Sequence, residues 1–174
     1  ALPDPQHGFI YGFDGASPGP TIRARRGDTL VVELVNRLDT PTTLHWHGLH
    51  VPFAMDGVAW MMDPVAPGET FTYQFALEQA GTYWYHPHFD TARQVDGGLF
   101  GAVVVSDPAE PAPPDQVWIA DLPLEHDPTD ARPGHGHGRL TDVWWINGAP
   151  TPLTWAPPAG AAQRVRIINA SNTG

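Results

Sequence analysis

An all-β sandwich is the fold class this sequence predicts, on three observations: strand-like alternation of apolar and polar residues, abundant turn formers, and no sustained 3.6-residue periodicity. Among its 174 residues are 20 Pro, 18 Gly and 7 Trp, and charged residues make up only 16%. That balance favours short strands joined by tight turns. The length suits one domain of ordinary size, or a domain with part of another.

In chain order, a short apolar run over Gly8–Phe13 precedes a stiff turn at Ser17-Pro18-Gly19-Pro20, where two prolines fix φ. A strand follows at Thr21–Ala24, and Arg25-Arg26-Gly27-Asp28 turns the chain. Thr29–Asn36 then alternates, with Leu30, Val32 and Leu34 on one face and Val31, Glu33 and Val35 on the other. Thr42–His47 sends Leu44 and Trp46 one way and His45 and His47 the other. From Gly48 to Glu69 there are too many Pro and Gly breakers for a helix or a central strand. Thr70–Leu77 aligns Phe71, Tyr73, Phe75 and Leu77 on one face. In Thr82–His88, Trp84, His86 and His88 share a face, and Pro87 ends the ladder. Leu99–Val105 is continuously apolar and reads as a buried strand.

Asp107 to Pro114 is a proline-rich break, so the expected organisation is a complete sandwich of seven or more strands over 1–106, a linker over 107–115 and a second unit over 116–174. In that second unit Gln116–Leu122, Val143–Ile146 and Arg164–Asn169 read as strands, separated by a His/Gly/Pro loop and by Pro150–Pro158. So few strands bury too little surface for a sandwich of their own, and the unit reads as incomplete.

A formal charge of −10 with only nine Lys+Arg leaves no basic stripe for nucleic acid and no polybasic patch for an anionic membrane. Neither is an expected partner. Cysteine is absent, which removes disulfides and any thiolate nucleophile or copper ligand from these residues. No apolar run approaches a membrane span, and Ala1-Leu2-Pro3 does not open like an export signal.

The chemistry concentrates in Leu44-His45-Trp46-His47-Gly48 and Trp84-Tyr85-His86-Pro87-His88. Each is a His-x-His on a strand, so both imidazoles of a pair leave the same face. Imidazole suits copper and zinc. The two rings of a pair start ~6.6–7 Å apart along the strand and can lean together on one ion or serve two neighbouring ions; spacing does not choose. A single strand-end histidine is ordinarily satisfied by backbone carbonyls, but two matched pairs, each flanked by Trp, argue for a metal.

The ordered set Pro18-Gly19-Pro20-Thr21-Ile22, Gly27-Asp28, His45-Trp46-His47-Gly48, Asp56-Gly57, Pro67-Gly68-Glu69, Gly81-Thr82-Tyr83-Trp84-Tyr85-His86-Pro87-His88 and Gly98-Leu99-Phe100-Gly101 resembles the N-terminal cupredoxin domain of the multicopper oxidases. More weakly, Ile146-Asn147-Gly148 and Arg164–Asn169 resemble the opening of that family's second cupredoxin domain. The resemblance implies a Greek-key cupredoxin-like sandwich followed by an incomplete second one. It implies an oxidoreductase that takes single electrons from a small reducing substrate, a phenol or a metal ion, and reduces O2 to water at a trinuclear copper cluster. His45 would ligate the type 2 copper, and His47, His86 and His88 the type 3 pair. Asp56 matches a carboxylate that helps deliver protons to reduced oxygen, although Asp-Gly is also a favoured turn pair. A periplasmic or extracellular location goes with this family.

Four further histidines, in a His-x-His and a His-Cys-His motif, and a type 1 copper bound through that Cys are implied on a C-terminal remainder; these residues lack them. The expected alternatives are a copper-binding module for storage or transfer and, less favoured because Asp56 is the sole evident base, a zinc hydrolase. Smaller signals read as structure: His50 as a surface residue or one behind the ligands, His126, His135 and His137 as part of a solvated loop over Glu125–Arg139, and Met55, Met61 and Met62 as packing. Trp46 and Trp84 are both expected to pack the sandwich core beside the ligands, and His7 fits no pattern.

Overall fold

A computed structural model of the chain describes residues 11–109, 113–123, 143–160 and 162–171. His7, His126, His135 and His137, with the loop proposed around the last three, lie outside the described residues. Strands β1 (Gly19–Arg25), β2 (Thr29–Val35), β3 (His45–His47), β4 (Thr70–Ala76), β5 (Gly81–His86) and β6 (Gly101–Ser106) build the first unit. A six-residue helix, α1 (Thr91–Asp96), follows β5, and β7 (Asp115–Asp121), β8 (Trp145–Ile146), β9 (Ala149–Pro150) and β10 (Arg164–Asn169) build the second.

One sheet runs β1-β6-β5-β3, and β2 pairs with β4 as a separate antiparallel ribbon. The ribbon lies over one face of the sheet, and their side chains interdigitate. Leu34, Tyr73, Phe75 and Leu77 from the ribbon meet Trp46, Tyr85, Val103 and Val105 from the sheet in one buried cluster. Period-two alternation produces this packing: Leu30, Val32 and Leu34 face in while Val31, 58% exposed, and Val35 face out. Trp46, fully buried, sits at the centre against Phe75 at a centroid distance of 5.2 Å and Tyr73 at 5.7 Å.

The sheet's other face is covered as well, which is why β6 reads as continuously apolar. Phe100 and Ala102 join Val95 of α1 and Ile119, Trp145 and Ile168 in a second cluster, with Trp84 packed against it. The second sheet, β10-β7-β8-β9, thus lies behind the first. Asp115 clamps the two together: it accepts from Arg166 Nε at 2.6 Å and pairs with Arg23 Nη1 at 2.8 Å, while Arg166 Nη1 donates to Thr82 Oγ1 at 2.7 Å.

Several expectations change in detail. Among the described residues the first unit has six strands, not seven or more. β1 extends back through Pro20 because its pairing with β6 shifts register between Gly19 and Ile22, where a missing N–H is tolerated. The first histidine strand begins only at His45 and the second ends at His86. Within the expected Val143–Ile146 strand only Trp145–Ile146 pairs, and Ala149–Pro150 returns beside it as a strand not expected there. That hairpin turns at Asn147 and Gly148, whose φ of 52° and 77° are left-handed, as a two-residue hairpin turn requires.

Candidate metal centre

The two histidine pairs meet because β3 and β5 are antiparallel neighbours in the register His45↔His86, Trp46↔Tyr85 and His47↔Trp84. Alternation then buries Trp46 and Tyr85 in the core and puts His45, His47 and His86 on the opposite face. Ligand atoms of these three lie within 4.8 Å of one another. His47 Nδ1 stands 3.2 Å from His86 Nε2. Two nitrogens bound to one ion at ~2.0–2.1 Å in a tetrahedral arrangement are about 3.3 Å apart, so this pair fits a shared copper or zinc ion. His88 stands outside that trio, with its ring 5.2 Å from that of His45, 6.3 Å from that of His86, and edge-on to Trp60 at 5.5 Å.

Each ring is oriented from behind. His86 Nδ1 donates to Pro87 O at 2.9 Å, which leaves its Nε2 lone pair facing His47. His45 Nδ1 reaches Asp56 O at 2.8 Å and Asp56 Oδ1 at 3.2 Å, so its Nε2 is the atom available to a metal. Asp56 therefore belongs to the site, standing behind a candidate ligand. Gly57 makes that approach possible. It has a φ of +72°, and a Cβ there would run into Leu44 O and come within 2.7 Å of His45 N.

Burial pushes the His86 imidazole down to about 4, with His45, His47 and His88 adding to the shift and the bond to Pro87 O opposing it. Burial first, then His45 and His88, lowers His47 as well. Neutral imidazole is the form that binds metal, so the environment favours the ligating state. In the second unit the opposite holds for Asp121. Burial, reinforced by nearby Asp96 and opposed by the Leu122 N–H, pushes its carboxyl up to about 7, and its Oδ2 is buried without a hydrogen-bond partner.

These two groups tilt stability in opposite directions. Because His86 falls from 6.5 to about 4 on folding, its stability is present above pH 6.5 and lost as pH falls toward 4. Asp121 rises from 3.8 to about 7, so its contribution is present below pH 3.8 and lost as pH rises through 7. Between pH 6.5 and 4, at about 1.4 kcal/mol per unit, each changes by about 3–4 kcal/mol and the two nearly cancel. Urea unfolding of the metal-free protein is therefore expected to vary little between pH 6.5 and 4 on their account. Asp121→Asn unmasks an acid loss of about 3 kcal/mol, read as a falling midpoint.

Trp46 and Trp84 both pack against buried clusters beside the histidines, as expected, but not against the same one: Trp46 is in the cluster between sheet and ribbon. Trp84 lies on the other face, stacked on His86 at 4.1 Å and tilted against His47 at 5.0 Å. The signal was available, since Trp84 is two residues from His86 and shares its face. His50 is exposed, and Met55 and Met62 pack on the core. Trp60, 76% exposed beside His88, was missed because it lies in an irregular loop where no periodicity assigns a side. Among the described residues no helix is long and apolar enough to cross a membrane.

The family model described as multicopper oxidase matches residues 2–110. The chain is 45% identical over 130 residues to the multicopper oxidase MmcO of Mycobacterium tuberculosis, covering 75% of this chain and 25% of that protein. It is 45% identical over 111 residues to an L-ascorbate oxidase of Cucumis sativus, covering 61% of this chain and 18% of the oxidase. The crystal structure of a multi-copper oxidase from Pseudomonas thermotolerans superposes with a TM-score of 0.79 at 38% identity, over 92% of this chain and 41% of that one. The chain thus spans a quarter or less of the two curated relatives. The all-β, cupredoxin-like expectation is borne out by the strands and by these neighbours.

Proposed function

Because this chain belongs to the multicopper oxidase family, whose members use copper, we propose that it forms one wall of a trinuclear copper site in a longer oxidase. The observation that carries this reading is the convergence of His45, His47 and His86, with His47 Nδ1 and His86 Nε2 at 3.2 Å. In it His47 and His86 hold one ion of a type 3 pair between them. His88, set apart from the trio, serves the other ion, and His45 takes the type 2 position. Four imidazoles supplied from one side leave each ion short of ligands, and a C-terminal remainder with His-x-His and His-Cys-His motifs supplies the rest.

Copper bound there supplies one-electron redox chemistry and open coordination positions for O2. The chain's own residues orient, exclude and deliver. Asp56 O and the Pro87 carbonyl fix the ring faces of His45 and His86. Trp84 stacked on His86 shields that ring from solvent on the sheet side. The Asp56 carboxylate, partly exposed and 3.2 Å from His45, is placed to take protons from water and pass them toward reduced oxygen. A type 1 copper held by the remainder would take electrons from the donor, a phenol or a metal ion. The setting is the periplasm or the cell exterior.

In the domain organisation that goes with this reading, residues 1–106 are the first cupredoxin-like domain, 107–115 a linker and 116–174 the opening of a second. The outer face of the second sheet supports it. Ile167 is 68% exposed there, beside Trp118, whose ring meets that of Trp155 edge-on at 5.6 Å, a surface that a second layer of a sandwich would cover. The test is electron balance in the whole, copper-loaded protein. Four equivalents of a one-electron donor are expected to be consumed per O2, without released peroxide. Copper bound with no O2 consumption would instead assign the site to storage or transfer.

A further inference from the structure

The β3–β5 ladder has a fault at the point where the site needs most order. In the observed register His45 faces His86, so Leu44 would face Pro87 and Thr43 would face His88. Pro87 has no N–H to donate, and the regular strand pairing stops at His86. His88 must still be held in line with His86 if both are to present rings to one site. It is held by a side chain: the His88 N–H donates to Thr43 Oγ1 at 2.9 Å, across 45 residues of sequence. A parallel bridge between His88 and Val58 supports it from the other side, on the segment that carries Asp56.

Thr43 is itself immobilised. It is fully buried, two residues before His45, in a run whose other members are each pinned by a polar contact. Pro41 O accepts from Gln94 Nε2 at 2.8 Å, Thr42 Oγ1 donates to Gln94 Oε1 at 2.6 Å, and the Leu44 N–H donates to Tyr73 Oη at 2.9 Å. Gln94 is fully buried on α1, the helix that follows His88 directly. The chain leaving the second histidine pair is thus tied back twice to the chain entering the first, once through Thr43 and once through Gln94.

From this geometry we infer that Thr43 is a positioning residue for the copper site, its hydroxyl replacing the strand pairing that Pro87 interrupts and so fixing His88 relative to His45. This rests on the reading of the four histidines as copper ligands. The hydroxyl, and not the methyl, is the active part. Thr43→Ser keeps it, whereas Thr43→Ala and Thr43→Val remove it, the first leaving space and the second keeping the shape.

The test compares these variants in the whole protein by copper titration, counting ions per chain, and by hydrogen exchange at the His88 amide in the metal-free state. Thr43→Ser is expected to keep wild-type copper affinity and a protected His88 amide. Thr43→Ala and Thr43→Val are expected to expose that amide and weaken copper binding about tenfold or more, the scale set by losing an outer partner of a ligand. If the valine variant does not fold, serine against alanine still isolates the hydroxyl. Wild-type copper affinity in the alanine variant, or serine as impaired as alanine, overturns the inference. Wild-type protein that binds no copper would instead overturn the reading of the site.

Discussion

His86→Ala, made in the whole protein, is expected to lose copper at the position it shares with His47 and to stop O2 consumption. The loss exceeds what an outer partner of a ligand would cost, about 10–100-fold in affinity, because the donor itself is gone and His47 Nδ1 faces an empty place 3.2 Å away. His47→Ala should behave the same way, since in the proposed site the two nitrogens act on one ion. The folded metal-free protein should tolerate His86→Ala, for His86 is held neutral at the cost of burial, and its partners are Pro87 O, the neighbouring imidazoles and the stacked Trp84 ring, none of them a charged group left unpaired by the change. Copper analysis with circular dichroism separates the two effects. A variant that is folded yet fully copper-loaded would be inconsistent with the assignment.

The second large effect concerns Asp56→Asn. Its backbone carbonyl still accepts from His45 Nδ1, and an amide oxygen can replace Oδ1, so copper content should not change. What disappears is a carboxylate able to take and give a proton. Oxygen consumption at saturating donor is expected to fall by about 10²–10⁴-fold, the usual range for a positioned acid–base group. Loss of copper in proportion to loss of rate would show instead that Asp56 serves only to hold His45.

The convergence of His45, His47 and His86 was legible in the sequence because strand geometry has a fixed period of two, whereas His88 lies past the end of its strand, where that period no longer places a side chain. Register was not legible. Nothing in either motif alone says that His45 faces His86 rather than His88, and that offset sets His47 beside His86 and leaves His88 apart. Irregular segments hid the remainder. Thr43 precedes the regular strand, Trp60 lies in a loop, and α1 is six residues long, too short for its periodicity to stand out. The hairpin at Asn147-Gly148 carried a plain turn signal, but Pro150 argued against a strand after it; as an edge residue it is accommodated. The second sheet's place behind the first was foreshadowed by the unbroken apolar run of β6, which only burial on both faces explains.

In the proposed site this chain contributes four imidazoles to more than one copper ion, each completed by ligands from elsewhere in the polypeptide. Anomalous scattering at the copper edge from crystals of the whole protein addresses it directly. Three neighbouring coppers are expected, with His47 and His86 on one, His88 on a second and His45 on the third, all sharing ligands with histidines outside residues 1–174. A single ion enclosed by His45, His47, His86 and His88 alone would contradict it.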